Sequence, residues 1–176
     1  MARWIPLTVV LALLIEPRGA VAGDDHRVAD PEPALVSAEV RAGYGLAAGG
    51  GAGRASVRGS PLVLAARVAI AIRDEPRMSG YGGLVLETLD RTGAGGEAGL
   101  MLEPSPRARL RAGAIAMVAP YKLWGGALGG GRCTRSGGLR VCLDLDADVF
   151  VGGSDLPAGG AAFQLVLALG IGFDAR

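Results

Sequence analysis

From position 163 to position 173 every odd residue is large and apolar: Phe163, Leu165, Leu167, Leu169, Ile171 and Phe173. The even positions hold Gln164, Val166, Ala168, Gly170 and Gly172, most of them small. Successive side chains of an extended strand point to opposite faces, so a period of two sorts these residues onto two sides. A helix would scatter both sets around its circumference. The segment therefore predicts a long strand with one greasy side, running almost to the C-terminus.

The other end of the chain constrains where such a strand can live. Met1-Ala2-Arg3-Trp4 is followed by an apolar run over 5–15 and then by Ala20-Val21-Ala22. A basic start, a short apolar stretch and an A-x-A site predict a secretory signal peptide over 1–22, cleaved after Ala22. The apolar run is well short of the ~20 residues a membrane helix needs. Residues 23–34, with Asp24, Asp25, Asp30 and two prolines, read as a polar lead-in on the periplasmic side. A formal net charge of +1 argues against a nucleic-acid binder driven by a basic field. Glycine is frequent but spread through alternating segments without a collagen period, so it reads as a small strand residue. The closest approach to a later membrane helix, 156–173, contains Gly159, Gly160, Gln164, Gly170 and Gly172 and alternates with period two.

The same alternation predicts an all-β chain of eight strands. The first covers 35–47, with Val36, Ala38, Val40, Ala42, Tyr44 and Leu46 on one face and Ser37, Glu39, Arg41, Gly43 and Gly45 on the other. A Gly-rich loop over 48–60 follows. The second strand sets Leu62, Leu64, Ala66, Val68, Ile70 and Ile72 against Arg67 and Arg73. A third covers 79–90, a loop 92–96, and a short fourth strand 97–102, below the ~9–11 residues of a spanning strand. After a turn at 103–106 the fifth, 107–118, sets Arg107, Arg109 and Arg111 against an alanine-rich face. The sixth covers 123–135. The seventh, 139–151, sets Leu and Val against Arg140, Cys142, Asp144, Asp146, Asp148 and Phe150, and a loop over 152–160 leads to the eighth. Most of these strands are long against the ~5–6 residues common in soluble domains. An even count lets a meander start and finish on one side of a membrane.

Alternation alone does not say whether the apolar face meets lipid or a protein core. A soluble sandwich would bury the same Leu and Val and wet the Arg and Asp. Here the polar face is rich in Gly and Ala, which suits a crowded narrow lumen, and its charges nearly cancel: Arg41, Arg67, Arg107, Arg109 and Arg111 stand against Glu39, Glu87, Glu97, Asp144, Asp146 and Asp148. With the signal peptide and the terminal ladder ending in Phe173, the chain resembles the small eight-stranded bacterial outer-membrane β-barrel proteins over 35–173. It departs from them in carrying a tail, 174–176, beyond the last Phe. The resemblance implies an antiparallel up-and-down transmembrane barrel in the outer membrane, with membrane lipid and the barrel assembly machinery as partners, working as a monomer without a cofactor. By strand direction Tyr44, Trp124 and Phe163 mark the outer interface and Phe173 the inner one.

Gly137-Gly138 is a two-residue hairpin signal. It places Cys133 opposite Cys142 at a non-hydrogen-bonded pair, the closer spacing, which suits a cross-strand disulfide in an exported protein. The same register sets Gly131, Gly129 and Ala127 opposite Asp144, Asp146 and Asp148. Arg107, Arg109 and Arg111 are expected to reach over this glycine strand to the Asp row, and with Glu39, Arg41 and Arg67 to plug the lumen by mutual pairing. Two Cys without a nearby His are too few for a metal site. Asp144, Asp146 and Asp148 mimic the start of a calcium loop, yet Val149 stands where that loop needs Gly and no Glu closes it. Gly43-Tyr44-Gly45 resembles a dinucleotide fingerprint only superficially, since glycines follow it and no helix does. The one His, His26, precedes the first strand, so Ser–His chemistry lacks a base in the barrel. The expectation is a non-enzymatic outer-membrane barrel. The alternatives are an exported soluble barrel or sandwich binding a small ligand, and a barrel hydrolase acting on envelope lipids through loop carboxylates such as Asp155.

Overall fold

A computed structural model describes residues 35–51, 54–73, 77–88, 92–120, 122–156 and 159–175; the expected signal peptide and lead-in lie outside them. Eight strands follow one another: β1 (Val36–Gly51), β2 (Arg54–Arg73), β3 (Arg77–Thr88), β4 (Thr92–Ser105), β5 (Ala108–Ala119), β6 (Leu123–Ser136), β7 (Leu139–Gly152) and β8 (Ala161–Ala175). Each pairs antiparallel with the next, and β8 returns to β1, so the sheet is a closed meander barrel. Closure leaves no lateral edge along the wall, the condition for placing strands in hydrocarbon.

Alternation sets the faces. Along β8 the odd residues are exposed and Gln164, Val166, Ala168, Gly170 and Gly172 are buried. The outer wall is apolar: Val40 is 62 % exposed, Leu84 69 % and Val118 65 %. The lumen holds Glu39, Arg41, Glu97, Arg109, Arg111, Asp144 and Asp146, all buried. Toward the Gly51–Arg54 end an apolar plug of Val63, Val85, Ile115, Met117, Phe150 and Val166 fills the bore.

Two segments read as loops are strands. Most of 48–60 extends the β1–β2 hairpin, with Gly49 opposite Ser56 and Gly50 opposite Ala55. On the other side Gly49 and Gly50 face Ala162 and Ala161 of β8. Residues 92–96 belong to β4, which is fourteen residues long rather than a stub. β4 also carries Glu103-Pro104-Ser105 with irregular pairing between Leu102 and Ser105, so the chain turns only at Pro106-Arg107. β8 runs on through Asp174 and Ala175, which pair with Ser37 and Val36.

At the β6–β7 turn Gly137 adopts φ 60°, the left-handed value a tight hairpin asks of its first central residue. Ser136 faces Leu139, and Cys133 faces Cys142 in a disulfide with a Cα–Cα distance of 4.1 Å. The N–H of Cys133 donates to Arg107 O in the β4–β5 turn at 2.8 Å, away from Cys142. That marks the pair as the close, non-hydrogen-bonded kind.

Candidate functional site in the barrel lumen

Four sets of lumen charges follow one construction rule: an arginine, a glycine and a carboxylate occupy one cross-strand row over three neighbouring strands. Arg109, Gly131 and Asp144 form such a row over β5, β6 and β7, and Arg111, Gly129 and Asp146 form the next. Arg67, Gly83 and Glu97 repeat it over β2, β3 and β4. Arg140, Gly172 and Glu39 repeat it over β7, β8 and β1. The missing side chain lets the guanidinium cross the middle strand. A Cβ on Gly131 would collide with Asp144 Oδ1, and one on Gly129 would meet Arg111 Nε at 2.6 Å.

The contacts build a layered lattice. Arg109 Nε donates to Asp144 Oδ1 at 2.8 Å, and its Nη2 to Glu39 Oε1 at 2.9 Å. Arg111 Nε donates to Asp146 Oδ1 at 2.9 Å and Nη1 to Glu97 Oε2 at 2.8 Å. Arg67 Nη2 donates to Glu97 Oε2 at 3.0 Å, and Arg41 donates to Asp146. The Tyr81 ring lies 5.6 Å from the Arg67 guanidinium carbon and 6.0 Å from that of Arg111, so two cations rest against one aromatic ring. Below, toward the termini, Glu103 binds Arg140 at 3.2 Å, Arg77 at 3.2 Å and Arg135 at 2.7 Å. Asp174 lies 3.4 Å from Arg140 and 3.3 Å from Arg135. Glu39 joins the two layers, with Arg140 3.6 Å away. Above them Gln164 donates its amide to Glu87 at 3.0 Å.

An isolated buried charge is costly, and bidentate Arg–carboxylate geometry is what offsets the desolvation. A void of about 20 Å³ among Glu39, Arg67, Tyr81, Arg109, Arg111 and Arg140 has room for about one water. With the apolar plug above it, the lattice makes the lumen a filled core.

The structure brings Glu39, Arg41, Arg67, Arg109, Arg111, Asp144 and Asp146 together. Asp148 is buried beside them, but its Oδ1 has no hydrogen-bond partner among the described residues. Arg107 is not in the lumen: it keeps the right parity, but it sits exposed in the β4–β5 turn, where its carbonyl accepts the Cys133 N–H. Arg67 donates to Glu97, because Gly83 opens the way on its own side, and its guanidinium also lies 3.9 Å from Asp146. Glu103, Arg135 and Asp174 were missed. Extending the inward parity of Glu97, Gly99 and Met101 by one step reaches Glu103, and one further step along β8 from Gly172 reaches Asp174. Tyr44, Trp124, Phe163 and Phe173 are all exposed on the outer wall. Trp124 pairs with Ala116 and Phe163 with Ala48, near the loop end, while Phe173 pairs with Ala38 near the terminal end. Asp155 accepts the Lys122 N–H at 2.6 Å and the Ser154 hydroxyl at 3.1 Å, which ties two loops together.

A volume test follows from the glycine rows. Gly131→Val is expected to destabilise the barrel by about 1–3 kcal/mol by forcing Asp144 and Arg109 apart. Gly126→Val, on the exposed face with its nearest neighbour, Gly113 O, at 3.8 Å, is expected to leave stability unchanged. Urea titrations of both folded proteins in detergent would compare them, and equal midpoints would contradict the packing account.

No family model and no curated protein matches the chain. Among solved structures it is similar to Ail, the attachment invasion locus protein of Yersinia pestis, crystallised with the heparin analogue sucrose octasulfate, at TM-score 0.48 and 9% identity over 78% of this chain and 99% of that one. It is likewise similar to Neisserial surface protein A (NspA), at TM-score 0.49 and 8% identity over 78% of this chain and 96% of that one.

Proposed function

We propose that this chain is a non-enzymatic integral protein of a Gram-negative outer membrane, exported by the segment 1–22 and folded into the bilayer by the barrel assembly machinery. It works there as a monomer in a structural or surface-interaction role. One observation carries the reading: the molecule is inside-out. Leu84, Val118, Leu128, Leu143, Leu167 and Leu169 face outward at half exposure or more, while the arginines and carboxylates are sealed within. In water such an apolar surface would be an aggregation liability, far beyond the few hundred Å² a soluble monomer tolerates. In a bilayer it is the required solvent-facing surface. Lumen filling supports a role for the loop end of the barrel over one for transport through it.

Fractionation tests this directly. The processed chain is expected in the outer-membrane fraction, to need detergent for release, and to migrate faster on a gel unheated than boiled. Recovery as a compact monomer in aqueous extract would overturn the reading in favour of the soluble barrel.

A further inference from the structure

The wall of the barrel is closed, but one strand outruns its neighbour. Val63 of β2 faces Glu87 of β3; β3 stops one residue later at Thr88, whereas β2 continues nine residues further, to Arg54. The Thr88 hydroxyl finishes the ladder, accepting the Leu62 N–H at 3.2 Å and donating to Leu62 O at 3.1 Å. On its other side the same stretch of β2 pairs with β1 up to Gly51 opposite Arg54, and β1 pairs with β8 up to Gly50 opposite Ala161. So the β1–β2 hairpin projects beyond the end of β3. Among the described residues no strand pairs with Arg54 to Ser60 on the β3 side. A free edge of main-chain donors and acceptors is a template for another strand. Pro61 lacks an N–H and blunts the edge at its base, leaving the part beyond the rim open.

We propose that this edge docks an extended acidic segment of a partner protein by strand addition. The proposal rests on the outer-membrane reading, which puts this end outside the cell. Charge selects the occupant. Between Arg41 and Arg73 the chain has no Asp or Glu, and the projecting stretch carries Arg54 and Arg58. The exposed Val57, at 74 %, lies between them and offers an apolar contact. A second copy is disfavoured by the same residues. Two barrels upright in one membrane and related by a two-fold axis would set their β2 edges parallel, placing Arg54 beside Arg54 and Arg58 beside Arg58 of the second copy. Like charges directly opposed destabilise a strand pair.

The test uses the full processed chain, folded in detergent micelles, and a fluorescent peptide as long as the free edge in which Glu alternates with Val and Thr. Fluorescence anisotropy is expected to show saturable binding. The double variant Arg54→Glu/Arg58→Glu is expected to weaken it roughly fivefold to tenfold and to bind the peptide in which Lys replaces Glu. Both positions lie on the part of β2 beyond the end of β3, and unchanged heat-modifiable mobility would show that the barrel is intact. A peptide N-methylated at alternate residues is expected not to bind, because it cannot complete the ladder. No binding of the acidic peptide, or equal binding of its N-methylated form, would overturn the proposal. So would a disulfide-linked dimer formed by the Val57→Cys variant and not suppressed by the acidic peptide. Because the titration is done in micelles, its failure is distinct from absence of the protein from the outer-membrane fraction, which would sink the location and leave the edge result standing.

Discussion

Asp146→Arg is expected to abolish the heat-resistant folded form of the barrel. Asp146 is 1 % exposed and stands where three guanidinium groups converge: Arg111 at 2.5 Å, Arg67 at 3.9 Å, and Arg41 in direct contact. Removing one partner of a buried pair costs about 3–5 kcal/mol, because the remaining charge has lost its solvation and gained nothing. Placing a fourth cation at the same point adds repulsion among groups packed without room to move apart. The total is comparable to the ~5–15 kcal/mol by which folded domains exceed their unfolded chains. Asp155→Arg, on an exposed loop, is the control and is expected to leave the mobility shift in place. Asp146→Asn should fall between the two, keeping the hydrogen-bond acceptor but not the charge. A double-mutant cycle with Arg111→Gln would show the two sites to be strongly coupled, as members of one network are. An Asp146→Arg protein that resists heat and urea like its parent would mean that the lattice does not hold the barrel together.

The same residues explain what was readable in the chain and what was not. β7 and β8 declare themselves because Leu and Val alternate with charge or glycine, so period two is visible without any partner. β4 hides. Its outward residues Ala94, Gly96 and Ala98 and its inward residues Gly93, Gly95 and Gly99 are small on both faces, and nothing alternates. The outward row Gly82, Ala98, Ala114 and Gly126 across β3 to β6 shows that this is a property of that side of the barrel. Residues 48–60 look like a loop because glycine favours turns in isolation. They become strand because β8 supplies a partner for Gly49 and Gly50, and no local pattern announces a partner more than a hundred residues away. The Arg109–Asp144 and Arg111–Asp146 rows were legible from one hairpin register, since the Gly137-Gly138 turn fixes which residue faces which; the Arg67–Glu97 row on the other side was not. Nor was the lower layer. Glu103 precedes a proline and reads as turn, Asp174 follows the aromatic ladder and reads as tail, and only the bulge in β4 and the length of β8 bring them inside. Arg107 shows the converse failure: it has the parity of Arg109, but parity has meaning only within a strand, and the chain turns at Pro106-Arg107.

Leu169→Arg separates a lipid-facing wall from a water-facing one by the sign and size of its effect. Leu169 is 54 % exposed near the centre of the β8 ladder, with Ala42 and Leu143 as its cross-strand neighbours. If the outer wall met water, an exposed leucine replaced by arginine would change stability by no more than about 0.5 kcal/mol, and solubility would improve. Against hydrocarbon the same change is expected to cost about 2–4 kcal/mol, the penalty for Arg near the midplane of an outer-membrane barrel wall. Folding from urea into lipid vesicles, followed by the mobility shift and by tryptophan emission, would read the difference. The folded fraction of Leu169→Arg should fall at urea concentrations where the parent is still folded. Val57→Arg provides the internal standard, because Val57 is more exposed than Leu169 but lies on the projecting hairpin, which the proposed outer-membrane location puts beyond the hydrocarbon. Two apolar-to-arginine substitutions, both at exposed positions, are therefore expected to differ by the whole bilayer penalty. If both were neutral, the apolar wall would be an ordinary wetted surface, and the arginine lattice it encloses would be the polar core of a soluble barrel.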